Sequence, residues 1–366
     1  MAMTIVEPVR TVTGGVDTHL DVHVAAALDP LGGLLGSEPF EPTPAGYKAL
    51  LVWLEGFGEV GKVGVEGTGS YGAGLARFLR RRRVEVVEVD RPDRQARRRQ
   101  GKSDSLDAIE AARAALSGRA QGQAKTRDGA VEAIRVLVVA KRSARQARVK
   151  ALTQVRHRGI TAPDQLRCRM KGLSVPALVA EGAKFRSTRS TDPVEAATKA
   201  SLSSLARRIQ VLDREIAELD QMIDPLVAAT APDLLALFGV GPDTAAALLV
   251  AAGDNPERLR SEAAWAHLCG VSPLQASSGR VTRHRLDRGG DRQANSALWR
   301  IVMVRIAHDP RHHGLFPTTR EGGAHQARGH PHPEALRRPR GLPPLASPLN
   351  PRLWVWLIPE LSSQVD

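Results

Sequence analysis

Apolar and polar positions alternate in short runs through the first part of the chain, and these runs predict strands. Residues 12–29, VTGGVDTHLDVHVAAALD, contain two of them with a hairpin turn around Thr18–Asp21. Residues 62–83 predict a short strand, a glycine-rich turn and a helix, and VEVVEVD at 84–90 predicts another strand. The alanine-rich segment 101–116 predicts a helix with two aspartates in or near its first turn. This order of elements predicts an N-terminal α/β domain.

A helical period replaces the alternation further along. Residues 131–158 predict a basic helix, and a heptad seam of eight apolar positions follows: Leu202, Leu205, Ile209, Leu212, Ile216, Leu219, Ile223 and Leu226. The seam predicts a long helix that is closed by Pro225 and Pro232 and packs against another helix. That partner is either the 131–158 helix, in an antiparallel hairpin within the chain, or a second chain in a coiled coil.

These patterns divide the chain into four segments. We predict an α/β domain at 1–120, a helical linker or coiled coil at 121–232, and a small all-α domain at 233–310. The tail, 311–366, has nine prolines in 56 residues, against 15 in the first 310, and shows no helical or strand period. This composition predicts an irregular linker-like segment or a frameshifted reading of the gene.

Charge narrows the class of partner. The chain has 52 Lys and Arg against 39 Asp and Glu, a formal net charge of +13. Such an excess predicts a polyanionic partner, with nucleic acid ahead of an acidic membrane surface. Two cysteines argue against a disulfide framework or a cysteine-based zinc site, and no apolar run is long enough for a membrane span. We therefore expect a cytoplasmic protein with no membrane partner.

Four carboxylates are candidates for a metal site. Asp17 lies at the predicted end of the first strand, Glu66 ends a second strand, and Asp104 and Asp107 share one face near a helix start. Oxygen ligands favour Mg²⁺ or Mn²⁺, and two such ions could promote in-line phosphoryl transfer. The alternative is that these acids bind no metal, because acids are favoured in the first turn of any helix.

Basic residues next to this group suit a phosphodiester substrate. They follow the predicted strand at 84–90: Arg91, Arg94, Arg97, Arg98, Arg99 and Lys102. Taken singly, each run could equally be the solvated face of a helix.

The segment 233–310 adds two further candidates. Gly239 and Gly241, between two apolar helical segments, look like a helix-hairpin-helix turn whose backbone N–H groups hold a phosphate, although a plain helical turn has the same glycines. Ser277 and Ser278 could supply a nucleophile, although such a sequence is more often a polar loop. Five arginines follow these serines and could stabilise a phosphorane-like transition state: Arg280, Arg283, Arg285, Arg288 and Arg292.

Together these motifs, over roughly residues 12–313, resemble the DEDD-type insertion-sequence transposases, which are relatives of the Piv DNA invertases. The resemblance implies a ribonuclease H-like domain, similar to the RuvC resolvase, whose acidic tetrad of Asp17, Glu66, Asp104 and Asp107 binds Mg²⁺ or Mn²⁺. It implies a serine nucleophile at Ser278, with Ser277 as the alternative. It also implies a helical insertion that mediates oligomerisation and a structured noncoding guide RNA that pairs with donor and target DNA.

We therefore expect a bacterial, nucleoid-associated DNA recombinase that moves or inverts its own element by phosphoryl transfer. A homo-oligomer, either a dimer or a tetramer, is expected on DNA. Two alternatives stay open: a metal-dependent junction-type nuclease that forms no protein–DNA adduct, and an inactive copy that only binds nucleic acid. Relatives usually continue into a basic amphipathic helix where this chain turns proline-rich, which makes the second alternative relevant.

Overall fold

The computed structural model describes residues 10–89, 103–189, 191–279, 281 and 283–309. The chain forms two compact units. The first contains the described residues up to Gly129 together with Gly253–Arg258, and the second contains Ala130–Ala252 and the described residues from Leu259 onwards. Among the described residues, no helix combines the length and the apolar character that crossing a bilayer requires.

A six-stranded mixed sheet forms the centre of the first unit. Its strands are β1 (Thr11–Thr18), β2 (His23–Leu28), β3 (Leu34–Phe40), β4 (Glu59–Glu66), β5 (Glu85–Val89) and β6 (Gly122–Gln123). The order across the sheet is β3-β2-β1-β4-β5-β6. Strands β1, β4 and β5 are parallel to one another, whereas β2, β3 and β6 pair antiparallel with their neighbours. This α/β arrangement is consistent with the predicted ribonuclease H-like class.

Helices cover both faces of the sheet. Helices α1 (Pro44–Glu55) and α2 (Ala73–Arg81) bury Leu50, Leu54, Leu75 and Leu79 on one face, against valines of β1 and β4. Helix α3 (Asp104–Leu116) covers the other face with its alanines. The predicted elements β1, β2, β4, β5, α2 and α3 are confirmed, while β3 and α1 were not predicted from the sequence.

The second unit is mainly helical. Its helices are α4 (Ala130–Ile160), α5 (Asp164–Met170), α6 (Val175–Ala183), α7 (Pro193–Thr230), α8 (Pro232–Leu235), α9 (Pro242–Ala252), α10 (Glu262–Leu268) and α11 (Arg292–His308). Two apolar clusters stabilise it. One joins the start of α4, the end of α7 and helices α9 to α11, and the other joins the end of α4, the start of α7 and helices α5 and α6.

Helices α4 and α7 form an antiparallel hairpin within the chain. Ile134 near the start of α4 shares a cluster with Ile223 near the end of α7, whereas Val155 shares one with Leu202. Ion pairs of Lys141 with Asp220 and of Arg148 with Asp213 connect the two helices between these clusters. Of the two partners considered for the heptad seam, the structure therefore shows the internal one.

The prediction that Pro225 closes the long helix is wrong. Helix α7 continues through Pro225 to Thr230, and Pro232 then begins α8. A proline inside a helix removes one backbone hydrogen bond. Here Ile223 and Val227, on either side of Pro225, are buried in the apolar cluster, and this packing holds the final turns in place.

The segment 233–310 is not all-α. A two-stranded antiparallel ribbon, β7 (Leu274–Gln275) with β8 (His284–Arg285), lies between α10 and α11. Gly279, in the turn that connects the two strands, has a positive φ of 58°, which glycine adopts without steric cost. The four-segment division at 1–120, 121–232, 233–310 and 311–366 stays a prediction, and its last segment lies outside the described residues.

Candidate functional site

Two of the predicted acids lie at the ends of adjacent parallel strands. Val16 of β1 pairs with Val65 of β4, and Asp17 and Glu66 are the next residues along these two strands. The two acids therefore occupy equivalent positions at the carboxyl ends of the strands. Side chains alternate between the faces of a strand. Asp17 is therefore on the same face as Gly15, and Glu66 on the same face as Gly64, and this is the face that α3 covers.

Helix α3 approaches this face closely because the strands present glycines to it. A Cβ atom on Gly15 would lie 2.6 Å from Ala112 Cα, and one on Gly64 would lie 2.5 Å from the carbonyl oxygen of Ala111. The helix begins at Asp104, where the Ser103 hydroxyl caps the first turn by accepting a hydrogen bond from Leu106 N–H at 3.3 Å. This close approach brings the first turn of α3 to the strand edge.

Three side chains meet at this edge. His19 Nε2 lies 3.1 Å from Asp17 Oδ2 and 3.5 Å from Asp104 Oδ1, so one imidazole nitrogen faces both carboxylates. The potential ligand atoms of the three residues lie within 4.8 Å of one another. Asp17 is buried, while His19 and Asp104 are 40% and 48% exposed at their side chains, so the group opens to solvent on one side.

Electrostatics show that the carboxylates repel one another. Burial raises the pKa of Asp17 above its ordinary range, and the nearby charges of Asp107 and Asp104 raise it further. His19 opposes this shift through its charge and its hydrogen bond. A buried carboxylate surrounded by like charges is the environment that a bound cation would stabilise.

The other two predicted acids, Asp107 and Glu66, are not members of this three-residue group. Asp107 is buried and close enough to act on the charge of Asp17. Glu66 is half-buried, and its backbone carbonyl accepts a hydrogen bond from the Thr18 hydroxyl at 2.8 Å. His19 was not predicted from the sequence, because it lies in the turn after β1, where side chains do not follow the alternation of a strand.

The donor set suits a hard divalent cation. Carboxylate oxygens of Asp17 and Asp104 are the ligands that Mg²⁺ and Mn²⁺ prefer, and Asp107 contributes further negative charge. This end of the sheet therefore has the chemistry that a divalent-metal site requires.

The predicted serines lie in the turn of the β7–β8 ribbon, and both are exposed. The Ser277 hydroxyl accepts a hydrogen bond from Arg283 N–H at 3.2 Å and so helps to close the ribbon. Ser278 forms a backbone bridge with Val281, and its N–H donates to the Val281 carbonyl at 3.2 Å. Among the described residues, no side-chain hydrogen bond engages the Ser278 hydroxyl.

The predicted basic residues divide into two sets. Arg283, Arg285, Arg288 and Arg292 are exposed along the ribbon and at the start of α11. The remaining ones lie outside the described residues: Arg91, Arg94, Arg97, Arg98, Arg99, Lys102 and Arg280.

The predicted phosphate-binding glycines lie between α8 and α9. Gly239 has a φ of 82°, which fits a tight turn, and a Cβ on Gly241 would meet open space. The N–H of Gly241, however, donates to the Thr244 hydroxyl at 3.0 Å, so this donor is already engaged within the turn. The helix before the turn has only four residues, and a helix-hairpin-helix stays a prediction.

Comparison with known proteins identifies similarity in both parts of the chain. Residues 14–158 match a family described as a transposase, of the DEDD type named after IS110, and residues 231–328 match the transposase family IS116/IS110/IS902. Both matched families are therefore transposase families named after IS110 or its relatives. The first matched range includes the whole predicted acidic tetrad, and the second includes the β7–β8 ribbon.

A curated relative agrees with this family. The uncharacterized 43.6 kDa protein of insertion element IS110 from Streptomyces coelicolor is 31% identical over 138 residues. The alignment covers 37% of this chain and 32% of the relative, so the chain matches about a third of that protein's length.

Proposed function

We propose that the protein is a transposase that cuts and rejoins DNA at the ends of its own insertion element. The observation that carries the proposal is the meeting of Asp17, His19 and Asp104 at the strand edge, within a range that matches a DEDD transposase family. Transposases of this class act on phosphodiesters, and the net charge of +13 suits that substrate.

In this proposal the acidic residues hold the metal. Asp17 and Asp104 bind Mg²⁺ or Mn²⁺ together with Glu66 and Asp107, and His19 orients Asp17 through its hydrogen bond. When bound, the metal would supply Lewis-acid activation and neutralise charge on the reacting phosphate. His19 acts here as a positioning residue, because its ring nitrogen already faces the carboxylates that would bind the cation.

Ser278 is the proposed nucleophile. Its oxygen attacks the scissile phosphorus, its proton passes to solvent, and the bond to the deoxyribose oxygen breaks as that oxygen takes up a proton. A DNA hydroxyl later attacks the phosphoserine, and the serine oxygen leaves, so phosphodiester energy is conserved without ATP. Exposure and a free hydroxyl among the described residues favour Ser278 over Ser277, whose hydroxyl closes the ribbon.

The arginines of the ribbon would contact the same substrate. Arg283, Arg285, Arg288 and Arg292 are proposed to bind phosphates and to stabilise the transition state, since guanidinium groups bind phosphate oxygens bidentately. Arg280, Arg91, Arg94, Arg97, Arg98, Arg99 and Lys102 are proposed for the same role from the sequence. The turn at Gly239 and Gly241 is proposed as a backbone phosphate contact, in which a phosphate would replace the Thr244 hydroxyl as the partner of the Gly241 N–H. The family resemblance adds a guide RNA and a dimer or tetramer on DNA as proposed partners.

Covalent trapping tests this function. Purified protein, Mg²⁺, the RNA encoded beside the element and labelled end-junction DNA would be mixed, denatured and separated on a gel. We expect a labelled protein–DNA band that disappears in Ser278→Ala and persists in Ser277→Ala. Asp104→Asn should abolish cleavage while DNA binding persists.

Other outcomes would assign other functions. Cleaved DNA without an adduct would identify a hydrolytic, junction-type nuclease. Binding without cleavage, in the presence of Mg²⁺ or Mn²⁺, would identify an inactive copy.

A further inference from the structure

A cleft of about 490 Å³ lies in the second unit, beside the start of the long helix α7. One wall is the segment Phe185–Thr188, which follows α6, and the other wall is α7 itself. The side chains of α7 that line it, from Ala200 to Arg207, are spaced three and four residues apart and so form one face of the helix. None of its residues belongs to the carboxylate group or to the serine ribbon.

The walls of the cleft are fixed by packing. Ser203 is only 7% exposed, and its hydroxyl donates to the carbonyl oxygen of Ala183 at 3.4 Å, which ties α7 to the end of α6. Phe185 is 4% exposed, and the guanidinium of Arg169 lies 4.8 Å from its ring centroid. Two of the residues that line the cleft, Phe185 and Ser203, are therefore held in place by packing.

The polar groups of the cleft suit an anion. They are the two guanidinium groups of Arg186 and Arg207 and the three hydroxyl groups of Ser187, Thr188 and Ser204, since the Ser203 hydroxyl already donates to Ala183. No carboxylate is among the described residues that line it. Guanidinium binds phosphate oxygens bidentately, and hydroxyl groups donate hydrogen bonds to the remaining oxygens. A phosphate group satisfies these donors better than a neutral ligand would.

We propose that this cleft binds the sugar–phosphate backbone of a nucleic acid strand. The cleft exceeds the space that one phosphate needs, and Arg186 and Arg207 are both exposed, so a bound phosphodiester can continue along the surface. This inference rests on the proposed function, because it takes the substrate or guide of a transposase as its ligand. It assigns nucleic-acid binding to a site that the sequence did not indicate.

The salt dependence of binding tests the cleft. Arg186→Gln and Arg207→Gln would be compared with Arg208→Gln, which removes the same charge from an exposed neighbour that does not line the cleft. Labelled duplex DNA and single-stranded RNA would be titrated between 50 and 200 mM salt, with inorganic phosphate as a competitor, and thermal melting would check each fold.

Each phosphate contact contributes about 0.9 to the salt slope for duplex DNA and about 0.7 for a single strand. Arg186→Gln and Arg207→Gln should each lower the slope by that amount. On duplex DNA, the fold-loss of affinity between 50 and 200 mM salt should then be about 3.5 times smaller than in the wild type. Arg208→Gln should leave the slope close to that of the wild type. The probe with the larger change identifies the strand that binds.

Equal slopes for all three variants would overturn the cleft proposal and leave the proposed function intact. Competition by millimolar inorganic phosphate, without any slope difference between variants, would identify a small-anion site and also overturn it. Failure of the wild type to bind either probe would refute the cleft together with the nucleic-acid part of the proposed function.

Discussion

Replacing Gly15 with alanine should separate α3 from the sheet. The added Cβ would lie 2.6 Å from Ala112 Cα and closer still to backbone atoms of Ala108 and Ala112. Ordinary carbon contacts are about 3.5–4.0 Å, so the helix must move outward by about 1 Å. The atoms in the way belong to the backbone and cannot rotate aside, which puts the cost at the upper end for overpacking, about 3 kcal/mol.

The same shift should impair metal binding. A metal site tolerates deviations of about 0.2 Å in its ligand distances, and a 1 Å displacement of α3 moves Asp104 away from Asp17. Gly122→Ala is the matched control, because its Cβ would meet the Glu88 carbonyl oxygen at 3.5 Å and the Glu88 Cβ at 3.6 Å, which are ordinary contacts.

Thermal melting followed by circular dichroism gives the stability, and Mn²⁺ titration gives the affinity. At about 4 °C per kcal/mol for a unit of this size, we expect Gly15→Ala to lower Tm by roughly 10 °C and Gly122→Ala to change it little. A Gly15→Ala protein that melts with the wild type and binds Mn²⁺ equally well would refute the close-packing argument.

Three further predictions concern other parts of the molecule. Burial lowers the pKa of His23 from its ordinary 6.5. As the pH falls below that value, His23 binds a proton in the unfolded chain but not in the folded chain, and this difference favours unfolding. The urea midpoint should therefore drop between pH 7.5 and 5.5, and His23→Leu should make the drop smaller; an identical drop in both proteins would contradict this. Burial raises the pKa of Cys269 to about 12, whereas Cys168 is exposed, so a thiol reagent at pH 8 should label one cysteine in the folded protein and none in Cys168→Ser. Lys141→Met should cost about 2 kcal/mol in urea unfolding, less than the roughly 3–5 kcal/mol for breaking a fully buried pair, because Asp220 and Asp243 are partly exposed and Arg145 still pairs with Asp243. Lys150→Met, on an exposed position of α4, should cost little.

Much of the first unit could be predicted because local pattern and tertiary environment agree there. The predicted strands are rich in β-branched residues or alanine, or alternate between apolar and polar positions; they are β1, β2, β4 and β5. The alanine-rich helix α3 packs against glycines of the sheet. Strand β3, LLGSEPF, was not predicted because glycine and proline are rare in strands. It tolerates Pro39 because it is an edge strand. Helix α1 carried a usable signal, an N-cap at Thr43 followed by Pro44.

The candidate site was predicted in part for similar reasons. Asp17 lies near a strand end, and Asp104 and Asp107 lie at a helix start, so the backbone alone positions these acids. The sequence pattern predicts both the strand end and the helix start. The side chain of His19 depends on the turn between β1 and β2, where the His19 N–H donates to the Val22 carbonyl at 3.1 Å, and no periodicity encodes that turn. The heptad seam of α7 likewise specifies an apolar face but not its partner, because α4 and a second chain would present the same kind of surface.

Binding of Mn²⁺, followed by electron paramagnetic resonance, decides whether Asp17 and Asp104 hold a metal ion. We expect the wild type to bind Mn²⁺, Asp17→Asn and Asp104→Asn to lose this binding, and Asp21→Asn, an exposed change in the same turn, to retain it. Wild-type protein that binds no Mn²⁺, or binding that is equal in all three variants, would contradict a metal centre at the edge of this sheet.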